Sequence, residues 1–231
     1  MTSEFTQILA DHKIALSGHA EQQCDRLCQL LLEKNAQVNL TALKTGRAVE
    51  LRHFADSIIQ TGFLDFSGKS VIDIGTGAGF PGLPIKIAVS DMEITLLESL
   101  KKKADAADEF AISLGLQGCR VVCGRAEEHV SQCREQFDIA ISRAVAPLNL
   151  LAELCLPYVK PGGFFLALKG AAYEQELEQA QNAIKTLGGN LAKVERYTID
   201  RVEFFTLVIE KVSPTPKIYP RKYVKMNKTP L

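Results

Sequence analysis

The sequence predicts an α/β fold: a doubly wound, seven-stranded, mostly parallel sheet with an N-terminal helical extension. Three observations predict it. Apolar strand-length segments alternate with helical segments from residue 70 onward, a glycine turn follows the first of these strands, and the first 62 residues show helical periodicity. At 231 residues the chain can bury one sizeable core. We expect residues 1–62 to form the extension, 63–212 the sheet domain and 213–231 a tail.

The extension is predicted to be helical over most of its length. Residues 4–34 carry apolar side chains at helical spacing, and Gly18 is expected to divide this stretch into two helices. Residues 39–42 interrupt the pattern and are expected to form a loop. A further helix is predicted from about residue 47 to residue 59.

The sheet domain is predicted to alternate strands and helices. The strands are expected at residues 70–74, 93–98, 119–123, 137–142, 163–168, 191–199 and 203–211. Helices are expected to start near residues 82, 100, 125 and 147, and a further helix to cover 173–187. A turn at residues 161–163 is expected before the fifth strand. The last two strands are predicted to close one edge of the sheet as a hairpin-like pair.

The turn after the first strand carries most of the functional information. Its glycines are Gly75, Gly77 and Gly79, which let the backbone turn sharply and let a ligand approach it closely. The spacing departs from the dinucleotide fingerprint G-x-G-x-x-G, because the third glycine comes too early and Phe80 fills the position of a small residue. Asp73 precedes the turn, and a carboxylate there would repel a pyrophosphate but could hold a cationic or hydroxyl-bearing ligand. This pattern resembles the first motif of S-adenosylmethionine (SAM) methyltransferases; a glycine turn without a ligand is the alternative.

The ends of the second and third strands supply further candidates, because ligands of doubly wound sheets bind beyond the carboxyl ends of the strands. Glu98 ends the second strand and is placed to accept hydrogen bonds from both hydroxyls of a ribose, with a helix-capping acid as the alternative. The turn at Ala126 and Glu127 follows the third strand and is placed to contact the edge of an adenine ring through its backbone amides.

Two cations stand at the ends of the fourth and fifth strands. Arg143 follows an apolar run and therefore needs a partner, which could be a ligand carboxylate or an RNA phosphate. An internal ion pair with Asp73 or Asp138 is the alternative. Lys169 is placed in the same way, with an ordinary surface lysine as the alternative. Both are candidates for positioning a substrate.

A polar helix face precedes the sheet domain and contains His53, Asp56 and Ser57. A Ser-His-Asp hydrolase is disfavoured, because one helix face cannot supply the directions of approach that a triad needs, and the sequence has no G-x-S-x-G turn. We expect this face to pack against the glycine turn or the substrate, with His53 and Asp56 as positioning candidates.

Composition excludes several other classes. No apolar run reaches the length of a membrane span and the N-terminus does not resemble a signal peptide, so a cytoplasmic protein without membrane association is expected. The six cysteines are expected to be reduced and structural. Two C-x-x-x-C pairs, at 24/28 and 119/123, lack the usual spacing of a zinc site, so no metal is expected.

The formal net charge is zero, but the charge is unevenly distributed. Six basic residues and no acids follow residue 210: Lys211, Lys217, Arg221, Lys222, Lys225 and Lys228. The remaining chain has 21 basic against 27 acidic residues. A basic tail on an acidic body is expected for a polyanionic partner, and prolines at 214, 216 and 220 are expected to keep the tail extended. The alternative is a tail that packs on the body and neutralises it.

Taken together, the segments resemble one family, the RsmG (GidB) methyltransferases of bacterial 16S ribosomal RNA, which act on guanine N7. The segments that carry the resemblance are Asn39–Ala42, Arg52–Ser57, Ile72–Gly82, Leu97–Lys103, Ser142–Ala144, Ala167–Gly170 and the tail from Tyr219 to Leu231. The first motif is generic to methyltransferases, whereas the whole set in this order is specific to the family and covers almost the entire chain.

The resemblance implies a monomeric SAM-dependent enzyme that acts on 16S rRNA or the small ribosomal subunit. It places SAM around Gly75, Phe80, Ala126–Glu127 and Arg143, with Glu98 at the ribose. The residues expected to contact RNA are Lys217, Arg221, Lys222, Lys225 and Lys228. Two alternatives of other classes are a noncatalytic RNA-binding assembly factor on the same fold, and a small-molecule SAM methyltransferase or dinucleotide oxidoreductase.

The acceptor atom sets the expected mechanism. Guanine N7 presents a lone pair and carries no proton, so methyl transfer to it needs neither a base nor a cysteine nucleophile. Proximity and alignment of the two substrates can supply most of the acceleration. We therefore expect positioning residues in place of a catalytic acid–base pair.

Overall fold

The computed structural model describes residues 1–143 and 145–231. Its helices are α1 (Ser3–Asp11), α2 (Gly18–Asn35), α3 (Gly46–Val49), α4 (Asp56–Ile58), α5 (Gln60–Phe63), α6 (Gly82–Ala88), α7 (Lys101–Ser113), α8 (Ala126–His129), α9 (Leu148–Cys155), α10 (Tyr173–Thr186) and α11 (Tyr223–Lys228). A π-helical turn spans Glu50–Ala55, and 3₁₀ turns span Val130–Gln132 and Leu156–Tyr158. None of the described helices is long and apolar enough to cross a membrane.

The sheet confirms the predicted fold. Its strands are β1 (Ser70–Ile74), β2 (Glu93–Glu98), β3 (Cys119–Cys123), β4 (Phe137–Arg143), β5 (Val159–Lys169), β6 (Gly189–Ile199) and β7 (Val202–Lys211), in the spatial order β3-β2-β1-β4-β5-β7-β6. Strands β1 to β5 pair in parallel, and β7 is antiparallel to both of its neighbours. The strand order reverses between β1 and β4, which is where ligands bind in sheets of this kind.

The predicted turn at residues 161–163 is wrong, because this segment lies within β5. The pairing of β4 with β5 jumps from Val159 to Phe164, so residues 160–163 form a bulge in one long strand. Gly162 has a φ of +86°, and a Cβ on Gly163 would lie 2.4 Å from the carbonyl oxygen of Asp138. The glycines are therefore needed for a close backbone approach inside the sheet, which has the same sequence signature as a turn.

The helices of the extension begin where capping residues stand. The side chains of Thr2, Ser17 and Thr45 each accept a hydrogen bond from a backbone N–H in the first turn of α1, α2 and α3. Gly18 begins α2, so the predicted division into two helices is confirmed. The helix predicted over residues 47–59 is present but contains the π-helical turn, a deformation that is frequent at functional sites.

Two apolar clusters cover the two faces of the sheet. The first cluster packs α1, α2, the π-helical turn, α6 and α7 against strand residues such as Val71, Leu96 and Leu166. The second cluster packs α9, α10 and Met226 against the alternate residues of the same strands, such as Ile72 and Phe165. The helical extension therefore shares one continuous core with the sheet. The boundaries predicted at residues 62 and 212 stay predictions.

The prediction of an extended tail is wrong for its last third. Residues 223–228 form α11, which begins beyond the last of the three prolines and buries Met226 completely. Arg134 donates hydrogen bonds to the carbonyl oxygens of Thr215, Pro216 and Tyr219 at 2.7–3.1 Å. Because β7 runs antiparallel, it ends at the edge where the parallel strands begin, so the tail starts on the side opposite to the glycine turn.

Candidate functional site

A cavity of about 900 Å³ lies beyond the carboxyl ends of β1, β2, β4 and β5. This volume is in the usual range for small-molecule sites. Its described walls include eight predicted site residues: His53, Asp56, Gly75, Gly77, Phe80, Glu98, Arg143 and Lys169. They also include residues outside the predicted set, among them Leu40–Leu43, Arg52, Thr76, Lys103, Tyr197 and Phe204. Four predicted cofactor contacts, Asp73, Gly79, Ala126 and Glu127, are not among the described wall residues.

The glycine turn is held against β2 so that its open side faces the cavity. The N–H groups of Gly75 and Thr76 donate to the carbonyl oxygen of Leu97 at 2.8 and 3.1 Å. Gly77 has a φ of +62°, and a Cβ built there would meet no described atom within 4 Å. A Cβ on Gly79 would instead lie 2.2 Å from Leu83, so Gly79 serves close packing of the turn against α6.

Asp73 is buried beneath the turn. Its Oδ2 accepts hydrogen bonds from the Thr76 hydroxyl at 2.6 Å and from the Gly82 N–H at 2.8 Å, while Oδ1 has no partner among the described residues. Burial raises the pKa of Asp73 to about 6, partly offset by these hydrogen bonds. Asp73 therefore ties the turn to the start of α6, and its predicted contact with a ligand stays a prediction.

Glu98 joins the glycine turn to the start of α7. Its Oε2 accepts a hydrogen bond from the Gly77 N–H at 2.9 Å, and its Oε1 accepts one from the Leu100 N–H at 2.8 Å. Oε1 also accepts a hydrogen bond from the Ser99 hydroxyl at 3.4 Å. Because each carboxylate oxygen has about two lone-pair sites, Oε2 is the oxygen that keeps capacity for a hydroxyl donor in the cavity. The capping role and the ribose role, which are alternatives in the sequence, are thus compatible.

Arg143 is engaged in an internal network whose partners were not predicted. One guanidinium nitrogen lies 2.9 Å from Asp56 Oδ2, and the other lies 2.9 Å from His53 Nδ1. The predicted alternative of an internal ion pair is therefore correct in kind, but Asp56 is the partner and not Asp73 or Asp138. The guanidinium also lies 5.9 Å from the centroid of the Phe80 ring.

The protonation of His53 follows from its neighbours. Arg143 can only donate, so Nδ1 must be the unprotonated nitrogen and Nε2 carries the proton, which it donates to the Thr41 hydroxyl at 2.9 Å. The imidazole stacks on Phe80 with ring centroids 4.5 Å apart. Burial, reinforced by the charge of Arg143, lowers the pKa of His53 to about 3. His53 is thus a neutral positioning group and a poor proton acceptor.

Replacing His53 with asparagine is expected to cost stability at pH 7 by an amount that shrinks as the pH falls. The unfolded histidine takes up a proton below about pH 6.5, whereas the folded one stays neutral down to about pH 3. His53 therefore lowers the free energy of unfolding of the wild type across this window, and the variant lacks this contribution. The difference in unfolding free energy between the wild type and the variant, called the gap below, should therefore narrow by about 2 kcal/mol between pH 6.5 and 4.5. This value comes from integrating the linkage relation between proton binding and stability.

Urea unfolding at several pH values measures this gap. His19→Asn, at an exposed position of α2, is the matched control. A gap for the His53 variant that stays constant with pH would mean that His53 takes up its proton normally in the folded protein.

Asp56 extends the network into the sheet. Its Oδ1 accepts a hydrogen bond from the Tyr197 hydroxyl at 2.7 Å. Gln60 Nε2 donates to the Tyr197 hydroxyl at 3.2 Å, and Gln60 Oε1 accepts from the Thr206 hydroxyl at 2.7 Å. The buried side chains of Asp56, Gln60, Tyr197 and Thr206 are thus joined by hydrogen bonds. Tyr197 and Thr206 lie on β6 and β7, so the network joins the helical extension to the reversed strand.

One buried side chain fixes the loop that forms another wall. Asn35 Nδ2 donates to the carbonyl oxygens of Thr41 and Leu43, and Oδ1 accepts from the N–H groups of Leu40 and Thr41 at 2.8 and 2.9 Å. All four hydrogen-bonding positions of this amide are used. The predicted loop over residues 39–42 is confirmed, and Asn35 holds it in place.

Lys169 is buried at the carboxyl end of β5. Its Nζ donates to the carbonyl oxygen of Ala146 at 2.9 Å and pairs with Glu176 Oε2 at 2.7 Å. The alternative of an ordinary surface lysine is therefore wrong. Lys169 joins the loop after β4 to α10, and its contact with a substrate stays a prediction.

All six cysteines are free thiols, and four of them, Cys24, Cys28, Cys133 and Cys155, are buried as expected for structural residues, whereas Cys123 is exposed. Burial raises the pKa of Cys24 to about 12 and that of Cys28 to about 11, which keeps both thiols protonated at neutral pH. The described walls of the cavity contain no cysteine.

The predicted RNA contacts fall into two groups. Lys217, Lys222, Lys225 and Lys228 are exposed. Arg221 instead pairs with the buried carboxylate of Glu153 on α9, with a shortest distance of 2.6 Å. Arg221 therefore attaches the tail to the body, while the role of all five residues in RNA binding stays a prediction.

The fold is that of the Rossmann-like SAM-dependent methyltransferases. A SAM-dependent methyltransferase from Aquifex aeolicus matches with a TM-score of 0.55 at 19% identity, covering 77% of this chain and 97% of its own. TYW2 from M. jannaschii, solved in complex with AdoMet, matches with a TM-score of 0.55 at 13% identity, covering 87% of this chain and 80% of its own. These likenesses establish the fold.

Sequence similarity establishes the family. The family model described as rRNA small subunit methyltransferase G matches residues 20–203. A ribosomal RNA small subunit methyltransferase G from Brevibacillus brevis is 43% identical over 237 residues, which cover all of both chains. The protein of that name from Staphylococcus carnosus is 41% identical over 229 residues, 96% of this chain and 95% of its own. The chain belongs to the rRNA small subunit methyltransferase G family, and the resemblance found in the sequence is confirmed.

The described walls fit the cofactor of this class. Gly77 leaves space where any other residue would place a Cβ, and Glu98 offers Oε2 to a hydroxyl group beside it. Asp73 lies directly beneath this end of the cavity, held by Thr76 and Gly82.

Proposed function

We propose that the protein transfers the methyl group of SAM to N7 of a specific guanine in the 16S rRNA of the small ribosomal subunit, and that it works in the cytoplasm, where ribosomes are assembled. The observation that carries the proposal is membership of the rRNA small subunit methyltransferase G family, and the chemistry of the cavity walls supports N7 as the acceptor. The described walls hold no thiol, and their histidine and carboxylates are all engaged by donors. Such a site suits an acceptor that needs neither a base nor a nucleophile.

Two halves of the cavity suit the two substrates. The half at β1 and β2 contains the glycine turn and Glu98, which would hold SAM and its ribose. The half at β4, β5 and the β6–β7 pair contains Arg143, Lys169, Tyr197 and Phe204, and remains for the acceptor base. The methyl group would pass across the point where the strand order reverses.

SAM supplies an electrophilic methyl group when it is bound. Transfer to N7 would form one N–C bond and break one C–S bond, the electron pair of the broken bond would stay on sulfur, and no proton would be released. The residues of the chain would therefore align the two partners and exclude water. The Arg143 network contributes by fixing Phe80 and His53 between the two halves.

The direct test is methyl transfer from labelled SAM to deproteinised small-subunit rRNA and, in parallel, to assembled subunits. We expect 7-methylguanosine by mass spectrometry of the digested RNA and strand cleavage at one guanine after reduction and aniline treatment. Methylation of another atom or of another base would overturn the proposal. No transfer to either substrate, with SAM bound, would favour a noncatalytic assembly factor.

Single replacement of each of the six cysteines by serine or alanine should leave methyl transfer within about tenfold of the wild type, which corresponds to about 1.4 kcal/mol in the barrier. The reason is that attack by N7 involves no covalent enzyme intermediate. The measurement is the single-turnover rate, with circular dichroism as the check of folding. A folded cysteine variant without transfer would indicate covalent attack on a pyrimidine.

The tail is proposed to bind RNA phosphates through its exposed lysines. Lys222→Gln combined with Lys225→Gln should reduce the slope of log affinity against log salt by roughly 0.7–0.9 for each phosphate that the variant no longer neutralises. Lys13→Gln with Lys185→Gln, at exposed positions outside the tail, removes the same charge and is the matched control. SAM affinity should be unchanged, because the tail begins at the opposite edge of the sheet. A salt slope equal to that of the control pair would assign the tail a structural role.

A further inference from the structure

Among the cations of the described cavity walls, the side chains of Arg52 and Lys103 have no hydrogen-bond or ion-pair partner, and Lys103 lies on α7 at the β2 side of the cavity. Arg143 is bonded to Asp56 and His53, and Lys169 to Glu176. The guanidinium of Arg52 makes no hydrogen bond or ion pair with any described residue, although its backbone oxygen accepts one from Arg143 at 3.1 Å. The residue is exposed, so its free guanidinium faces solvent at the rim of the cavity.

The position of this guanidinium is nevertheless fixed by an aromatic ring. Its Cζ lies 4.8 Å from the centroid of the Phe204 ring. Phe204 in turn stacks on Tyr197 across the β6–β7 pair, with centroids 5.7 Å apart, and the Tyr197 hydroxyl is held by Asp56. The planar cation is thus supported by a chain of contacts that leads back to the Arg143 network.

We propose that Arg52, supported by Phe204, is the platform on which the acceptor guanine stacks in the cavity. The inference rests on the proposed function and adds the residue that recognises the base. A planar guanidinium presents a face to a nucleobase, and stacking of bases on arginine planes and aromatic rings is a usual way to hold an unpaired base. Both residues line the cavity, and Phe204 lies on β7, at the side that the proposed function leaves to the acceptor base.

The chemistry of N7 favours stacking over an edge contact. Arginine commonly recognises guanine by donating to O6 and N7 together. That geometry would occupy the lone pair that must attack the methyl group, so it is incompatible with transfer. A stacked guanidinium leaves the N7 edge free. It also opposes the positive charge that the ring acquires on methylation, so Arg52 should hold the substrate base more tightly than the product.

The test compares variants that separate the planar shape of the Arg52 guanidinium from its positive charge. Arg52→Lys keeps the charge but replaces the planar group, and Phe204→Leu removes the ring that supports the guanidinium. Each should raise KM for the rRNA about tenfold, leave the calorimetric SAM affinity within twofold and leave the salt slope of RNA binding unchanged. Phe204→Tyr, which keeps an aromatic ring at this position, should have the wild-type KM. Arg26→Lys, at an exposed position of α2, is the matched control and should behave as the wild type.

The outcomes separate this inference from the proposed function. If the wild type forms 7-methylguanosine and Arg52→Lys has the wild-type KM, the planar guanidinium is not needed and the stacking proposal is overturned. A reduced salt slope in Arg52→Lys would overturn it as well. If the wild type does not methylate guanine N7, the proposed function fails before the variants are compared. Thermal unfolding of each variant shows that the comparison concerns folded protein.

Discussion

Replacing Gly77 with valine is expected to abolish SAM binding while the protein stays folded. Gly77 faces the cavity, and a Cβ built on it meets only open space, so the valine side chain would occupy the volume that the ligand needs. Its φ of +62° also disfavours a β-branched residue by roughly 1–2 kcal/mol, which a folded domain can tolerate. Isothermal titration calorimetry with SAM measures the loss.

Gly68→Val provides a matched control for this prediction. Gly68 has a φ of +64° and, like Gly77, has no described atom within 4 Å of a built Cβ, but it lies in the turn before β1 and outside the cavity walls. The two variants therefore carry the same backbone cost and differ in the site they obstruct. Unchanged SAM affinity in Gly77→Val, or equal loss in both variants, would refute the assignment of the turn to the cofactor.

Replacing Arg143 with methionine is expected to lower the free energy of unfolding by about 3–5 kcal/mol, because it leaves the buried carboxylate of Asp56 without its cation. The side chains of Arg143 and Asp56 are 16% and 7% exposed, so water replaces the missing partner poorly. The pKa of His53 should rise in the variant, since the charge of Arg143 contributes to its depression. Methyl transfer should also fall, because Phe80 and His53 are no longer held in place by the guanidinium.

Urea unfolding of a double-mutant cycle tests the prediction. Adding Asp56→Asn removes the orphaned charge while keeping an oxygen for the Tyr197 hydroxyl, so the double variant should recover part of the loss. Lys160→Met breaks the more exposed pair with Asp138 and should cost less than about 1 kcal/mol. If Arg143→Met costs no more than this control, the Arg143–Asp56 pair does not stabilise the fold.

The fold was predictable because its signals are local. Apolar runs bounded by glycine and proline place the strands within a few residues of their bounds, and the glycine turn with Glu98 marks the carboxyl edge of the sheet. The tail helix was missed because six residues carry a weak propensity signal, and its stability comes from burying Met226 and from the Arg221–Glu153 pair. The bulge in β5 was missed because its glycines also fit a turn.

The site was predictable only in part, because its side chains pair over long distances in sequence. Tyr197 lies 141 residues from Asp56, and no periodicity links them. The same holds for Arg143 and its two partners, which the sequence presents only as separate candidates. Arg52 appeared within a motif, but its freedom from partners is a property of the packed structure alone.

The four hydrogen bonds by which Asn35 holds the loop at residues 40–43 limit how far the chain can be shortened while keeping the cavity intact. The cavity opens at the edge of the sheet, yet one of its walls is held by a side chain from α2, a helix that belongs to the apolar core on one face of the sheet. Proteolytic removal of the first forty residues would therefore open the cofactor site and expose the underside of the sheet together. The helices that precede the sheet are as much a part of the catalytic unit as the strands are.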